Sequence, residues 1–448
     1  MALRQLLPTR QHPTRIVVFA FAGAIAAGSA LLLLPVAAES GQSTSALTAV
    51  FTATSAVCVT GLAVVDTSSH WSLFGELVIL VLMQVGGLGI MTLASLLALL
   101  VSNRLGLRMS LTAQTETRAI GIGEVRRLVR GVITFTLAFE LVVAVVLAAR
   151  LALGYGEPFL RAAYYGVFHS VAAFTNGSFS LYPDSLMRFV TDAWVCLPVA
   201  ISVIVGGIGF PVLFELRRRW RTPRAWTLHT KLTLLVSAVL LIGGAAVITA
   251  IEWANPATMG PLDVPGKLLA GFFHGTVPRT AGFNTLDVGR MQPGTLLITD
   301  VLMFIGGGSA STAGGIKVTT FALLAFVILA EIRAQPSVHV MGRRLAAETQ
   351  RQALTVALLS VGAVMVATIV LLMITPFRLD AVLFEVISAF GTVGLSTGIT
   401  AQLPGAGQAL LILMMFIGRV GPITLASGLA LRERTRRYEL PEERPIVG

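Results

Sequence analysis

Apolar runs long enough to cross a lipid bilayer recur along the whole chain, separated by short polar stretches. A helical crossing takes about 20 residues. Runs of this length extend from Ile16 to Pro35, Leu73 to Val101, Leu128 to Leu153 and Trp194 to Leu216. Others extend from Leu232 to Ile251, Leu296 to Leu329, Ala353 to Ile374 and Leu410 to Leu431. The pattern predicts eight transmembrane spans, an even number that returns the chain to its starting side. No convincing small-residue cleavage site follows the first run, which therefore reads as a retained span and not a signal peptide.

After each outward crossing comes a second apolar stretch too short to span, as in re-entrant segments. The four stretches align on a glycine: CVTGL at Cys58 to Leu62, FTNGS at Phe174 to Ser178, RTAGF at Arg279 to Phe283 and GTVGL at Gly391 to Leu395. An aromatic lies nine or ten positions upstream (Phe51, Phe168, Phe273, Phe384), and a hydroxyl residue six or seven upstream (Ser55, Ser170, Thr276, Ser388). Near-equal spacing of 116, 105 and 112 residues between Gly61, Gly177, Gly282 and Gly394 marks an internal repeat. The predicted fold is an all-α integral membrane protein. Four helix, pore-loop, helix repeats stand in a pseudo-fourfold arrangement, with eight spans and four re-entrant pore helices. The repeats cover 1–109, 110–227, 228–338 and 339–431, followed by a tail at 432–448. The pore helices are expected to start at Ser43 or Thr44, at Glu157 with Pro158, at Asp263 with Pro265 and at Asp380.

Composition agrees with a lipid solvent: 55% hydrophobic, 12% charged, mean hydropathy +0.82. The net charge of +11 is a topology signal and not a nucleic-acid footprint. Of 33 Lys and Arg, 24 fall on one side of the predicted spans. They include Arg4, Arg10 and Arg15, six Arg between Arg104 and Arg130, the group from Arg217 to Lys231, and five Arg beyond Leu431. By the positive-inside rule both termini are cytoplasmic. Cys58 and Cys196 offer neither a disulfide framework nor metal-ligand spacing.

A permeating cation exchanges its hydration shell for fixed oxygens, commonly backbone carbonyls on a short extended strand. Glycine permits the backbone this needs, and the C-terminal end of a preceding half-span helix is partially negative. The candidate filter residues are Val59, Thr60 and Gly61; Thr175, Asn176 and Gly177; Thr280, Ala281 and Gly282; and Thr392, Val393 and Gly394. Four such strands around an axis make one filter for a small monovalent cation. Asp66, Asp184 and Asp287, just outside, either raise the cation concentration at the mouth or serve as loop and cap residues. Arg279 reads as bracing a filter strand from behind.

Glycines also interrupt the inner helices: Gly86, Gly87 and Gly89; Gly206, Gly207 and Gly209; Gly306, Gly307 and Gly308; Gly418 and Gly421. Close helix packing accounts for the first two groups. The third lies in an overlong run that carries Gly306, Gly307, Gly308, Ser309, Ala310, Ser311, Thr312, Ala313, Gly314, Gly315 and Lys317 at its middle. Irregular polar backbone at that depth lines a cavity or is buried in protein. A loop inside the conduction path follows. Lys317 and Arg419 are functional candidates because charge inside a membrane is costly. Arg419 either pairs with the loop as a gate or makes a structural ion pair with a buried carboxylate.

Enzyme chemistry finds little support. His169 and His274, each eight residues before a filter glycine, read as a shared packing position and not as metal ligands. The glycine-rich loop lacks the GK[ST] ending of a phosphate cradle. A coupled Na⁺ or H⁺ symporter is the second reading, but it calls for mid-span carboxylates, of which Glu140 and Glu385 come nearest. An intramembrane enzyme, the third, lacks a nucleophile and base or a metal triad at persuasive spacing.

These residues resemble the Trk/Ktr/HKT superfamily of potassium transporters over essentially the whole chain. The most specific marks are SAVCVTGL at Ser55 to Leu62, RTAGFNT at Arg279 to Thr285 and STAGGIK at Ser311 to Lys317. The start of the chain at the first repeat and its YELPEERPIVG end are more similar to the bacterial KtrB branch than to the longer TrkH branch. The resemblance implies a K⁺ uptake subunit of the bacterial cytoplasmic membrane that forms a homodimer and carries no organic cofactor. It further implies filter carbonyls around the four glycines, a gate of the loop with Arg419, and control by a cytosolic nucleotide-binding RCK ring, KtrA- or TrkA-like. Some members depend on Na⁺. Two departures stand out: Ala310 replaces a loop glycine and is expected to stiffen it, and Val59 replaces the recurrent Thr.

Overall fold

A computed structural model of the chain describes residues 13–110 and 122–430. The expected tail at 432–448, and Arg4, Arg10 and Arg118, lie outside the described residues. The order long helix, short helix, extended segment, helix occurs four times. The first unit has α1 (Pro13–Leu32), α2 (Ala46–Val57), the one-turn α3 (Thr67–His70) and α4 (Leu73–Ser110). The second has α5 (Ile122–Tyr155), α6 (Phe159–Thr175), α7 (Ala193–Ile208) and α8 (Phe210–Arg219). Next come α9 (Leu228–Glu252), α10 (Val264–Thr276), α11 (Pro293–Phe304) and α12 (Val318–Ile332). The last unit has α13 (Ala347–Ile374), α14 (Leu379–Gly391) and α15 (Gly405–Ala430).

Among the described residues three helices are long and apolar enough to cross a bilayer, or four if α7 and α8 count as one bent span. The glycine-rich break in the third inner run leaves two shorter apolar helices, α11 and α12, whereas α4 and α15 continue unbroken past Gly89 and Gly421. The run from Leu296 to Leu329 is interrupted as expected, between α11 and α12. The run from Trp194 to Leu216 differs from expectation: Gly209, at φ +97, separates two helices that meet at 98°. A Cβ at Gly209 would lie 3.3 Å from the carbonyl carbon of Ala310, so the bend follows the glycine-rich loop. Strand is confined, among the described residues, to a two-residue hairpin in which His339–Val340 pairs with Arg343–Arg344 across Met341 and Gly342, both at positive φ.

The short helices start where side-chain oxygens meet free backbone amides. Ser45, not Ser43 or Thr44, accepts from Thr48 N (3.2 Å), and Asp263 accepts from Gly266 N (3.0 Å). Pro158 and Arg378 precede the other two without a side-chain cap, and Asp380 sits in the first turn of α14. The four register phenylalanines Phe51, Phe168, Phe273 and Phe384 are fully buried. Phe51 of the first unit packs in the apolar cluster of the last two units, and Phe273 of the third in that of the first two. The units therefore interlock as one body and bring the four extended segments together.

Candidate functional site

Three of the short helices end in the same backbone turn. Thr60 N donates to Ser55 O (2.7 Å), Gly177 N to Ala172 O (2.7 Å) and Val393 N to Ser388 O (2.9 Å). Each donor follows a left-handed residue, Val59 (φ 56), Asn176 (φ 63) and Thr392 (φ 48), as in a Schellman cap. The residues after the turn are Gly61 (φ 88), Ser178 (φ 59) and Gly394 (φ 96). Alignment on this turn shifts the second segment by one residue. Ser178, not Gly177, stands where Gly61 and Gly394 stand, and Thr175 is the last residue of α6 and not part of a strand. The third segment leaves α10 through a 3-10 turn at Val277–Arg279 before Thr280, Ala281 and Gly282.

Gly61, Ser178, Gly282 and Gly394 line one open cavity of about 310 Å³, together with Asp66 and Asn284. Gly177 lies behind it, where a Cβ would run into Met83. The segments touch. A Cβ on Gly282 would lie 2.6 Å from Gly394 Cα, and one on Gly61 2.6 Å from Gly177 O. The Ser178 hydroxyl joins three of them, accepting from Gly282 N and reaching Val393 O (3.2 Å). This contact is invisible in the repeat pattern, because only tertiary structure brings residues 178, 282 and 393 together.

The hydroxyl residues upstream of the four glycines divide into two kinds. Ser55 and Ser388 accept from Gly61 N (3.0 Å) and Gly394 N (3.1 Å). Ser170 instead donates to Glu140 O (2.5 Å), and Thr276 to Phe272 O (2.8 Å). His169 and His274 are more than packing residues. His274 Nε2 accepts from Leu286 N (3.2 Å), and His169 Nε2 contacts Ser180 Oγ (3.1 Å) and Leu181 N (3.4 Å). Glu385 has the same task in the fourth unit, accepting from Thr397 N (3.0 Å) and Thr400 Oγ1 (2.8 Å). It is a brace for the exit of the fourth segment, not a mid-span carboxylate.

The loop from Gly306 to Lys317 lies against the helix-proximal ends of the second and fourth segments. Asn176 Nδ2 donates to Thr312 Oγ1 (2.6 Å), and a Cβ on Gly314 would lie 2.8 Å from Thr392 Cγ2. Surrounding backbone holds the loop: Gly308 N donates to Gly207 O (2.8 Å), Thr312 N to Gly206 O (3.3 Å) and Gly315 N to Gly418 O (3.2 Å). Gly306 N donates to Ile316 O (2.8 Å) and Val318 N to Gly307 O (3.1 Å), closing the loop on itself. Within it Ser311 Oγ accepts from Ala313 N (3.2 Å), and Ser309 Oγ contacts Thr319 Oγ1 (2.9 Å). Arg419, 2% exposed, donates to Thr312 O and to Gly86 O (3.4 Å). Among the described residues it makes no ion pair with a carboxylate, so of the two expectations the contact with the loop is the one observed. Lys317 folds back on its own loop, donating to Ala313 O and Gly314 O. Ala310 sits at φ +59, a left-handed backbone that favours glycine and strains an alanine locally.

The glycines of α4, α7 and α15 allow the inner helices to meet the ends of the short ones. A Cβ at Gly86 would run into Val57 O, one at Gly206 into Phe174 O and one at Gly418 into Phe390 O. Arg279 points away from the cavity and donates to Ser237 O and Oγ (both 3.1 Å) on α9, a position behind the third segment. Asp66, Asp184 and Asp287 are engaged as caps or ion pairs, with Ser68 N (3.3 Å), Arg188 (2.7 Å) and Arg290 (3.3 Å). Both cysteines are buried and free. No group of three His, Cys, Asp or Glu side chains able to hold a metal occurs among the described residues.

Apolar helices around helix-backed segments, a shared cavity and a glycine-rich loop against its inner side define an integral membrane transport fold. The chain belongs to the TrkH family of cation transport proteins, whose family model matches residues 6–432. It is 39% identical to Ktr system potassium uptake protein B of Bacillus subtilis (strain 168), over 96% of each chain. It is 40% identical to the protein of the same name from Vibrio alginolyticus, over 97% of this chain and 94% of that one. The crystal structure of the potassium transporter TrkH from Vibrio parahaemolyticus has the same fold, with a TM-score of 0.70 at 19% identity over 94% of this chain and 85% of that one. The family is one of transporters, not enzymes.

Proposed function

We propose that the chain is the ion-translocating membrane subunit of a Ktr/Trk-type K⁺ uptake system. One observation carries the reading: Gly61, Ser178, Gly282 and Gly394 line a single cavity whose inner side meets the loop that Arg419 holds. K⁺ passes the backbone oxygens of these segments and then the loop, which gates by moving aside. The four units surround the path with pseudo-fourfold symmetry and eight crossings, and both termini are cytoplasmic in a bacterial inner membrane. K⁺ is the cargo, as the names of the relatives support. A homodimer and a nucleotide-binding RCK ring on the cytoplasmic face complete the system.

The coupled-symport reading gains one observation besides Glu140, which lies at the middle of the span Arg126–Tyr155. Asp300, inside α11 and 5% exposed, has an Oδ1 without a hydrogen-bond partner, a mid-span carboxylate hidden in an overlong apolar run. Uptake that collapses when the Na⁺ or H⁺ gradient is removed at constant membrane potential favours symport. The channel-like reading is tested by growth of a K⁺-uptake-deficient bacterium at micromolar K⁺ with this chain alone, with an RCK subunit, and with Gly282→Ser. Rescue that needs the partner and weakens in the variant supports it. Absence of rescue despite correct membrane insertion contradicts it.

A further inference from the structure

Behind the second segment, away from the cavity, three buried oxygens have no partner: Glu140 Oε1, Gln84 Oε1 and Thr136 Oγ1. Glu140 sits at the middle of the span Arg126–Tyr155 and is 5% exposed, and Thr136 is fully buried. Thr136 precedes Glu140 by four residues on α5, so the two share one helix face. Gln84 reaches across from α4, its Nε2 donating to Glu140 Oε2 (3.0 Å). Among the described residues this is the only side-chain hydrogen bond to the carboxylate, which has no ion pair. A carboxyl at that depth is either protonated or paired with positive charge, and a set of carboxylate, amide and hydroxyl oxygens is what a hard cation takes as ligands.

We propose that Glu140, Gln84 and Thr136 form an off-path site for a small alkali cation. The site is mechanically joined to the second segment. Met83, next to Gln84, fills the space where a Cβ on Gly177 would lie. Gly87, one turn further along α4, packs against Thr175, where a Cβ would sit 2.8 Å from Thr175 Cγ2. From the other side Ser170 donates to Glu140 O (2.5 Å). A cation drawing α4 and α5 together thus fixes the backing of Thr175, Asn176 and Ser178 and modulates conduction without lying in its path.

The test uses the purified full chain in detergent at constant saturating K⁺, with NaCl exchanged for choline chloride at fixed ionic strength, and reads Tm. Na⁺ raises Tm of the wild type. Glu140→Gln and Thr136→Val keep the wild-type Tm in choline, lose the Na⁺ increment, and retain stabilisation by K⁺ titrated separately. If Glu140→Gln does not fold, Thr136→Val alone carries the readout. A Na⁺ increment that survives in a folded variant overturns the site, as does a wild-type Tm indifferent to Na⁺, the result expected of a protonated carboxyl or a buried water. Loss of the K⁺ effect in the wild type would instead count against the proposed K⁺ path, so the two failures are separable.

Discussion

Arg419 donates to the carbonyl oxygen of Thr312, at the middle of the loop that interrupts the third inner helix, while its other guanidinium nitrogen reaches Gly86 O (3.4 Å) on the first. One side chain thus fastens the loop to two inner helices. A hydrogen bond from a charged donor is worth about 1.5–3 kcal/mol, so its loss shifts the equilibrium of the proposed gate by about tenfold to a hundredfold. Arg419→Gln is predicted to raise K⁺ flux into proteoliposomes at least about tenfold. An unchanged flux in a folded variant would remove Arg419 from the gate.

Ser178 holds a position that glycine holds in the other three segments. Its hydroxyl ties Gly282 N and Val393 O together and adds an oxygen that moves with a side-chain rotamer. Such an oxygen follows a smaller ion inward. Ser178→Gly is predicted to raise the K⁺ over Na⁺ permeability ratio several-fold, read from reversal potentials in planar bilayers; an unaltered ratio contradicts this role.

The glycine contacts predict opposite outcomes for one substitution. At Gly418 a Cβ would run into Phe390 O, whereas at Gly362 nothing lies within 4 Å. Gly418→Ala costs about 1–3 kcal/mol through overpacking. Gly362→Ala, in the interior of α13, gains about 0.5–1 kcal/mol of helix stability. Thermal unfolding in detergent separates the two, and equal shifts in Tm would contradict the close approach.

Glu385 accepts from Thr397 N and Thr400 Oγ1 at the exit of the fourth segment. Glu385→Ala leaves these donors unpaired, at about 1–3 kcal/mol for the buried Thr400 hydroxyl, and is predicted to lower both Tm and K⁺ flux. Glu385→Gln, which keeps an acceptor oxygen, recovers most of the loss. If the two variants behave alike, the brace is not what Glu385 supplies.

Much of the architecture is legible in the sequence because repetition amplifies weak signals. A single glycine after a short apolar stretch says little, but four at similar spacing, each with an upstream phenylalanine, define a register. Residue type misplaces that register by one residue in the second unit, where FTNGS offers a glycine next to the structurally equivalent Ser178. The bend at Gly209 was hidden for a related reason: Gly206, Gly207 and Gly209 look alike in a run, and only Gly209 takes a positive φ. The braces at His274 and Glu385 differ in chemistry and were not readable as one function. Their shared role is set by backbone amides 11 and 12 residues further on.

In the proposed path a monovalent cation rests among the four segments. Crystals grown with Tl⁺ in place of K⁺ test it through anomalous scattering. A peak is expected between Gly61, Ser178, Gly282 and Gly394; a fully occupied peak elsewhere in the membrane region, with none among these residues, would contradict the proposed path.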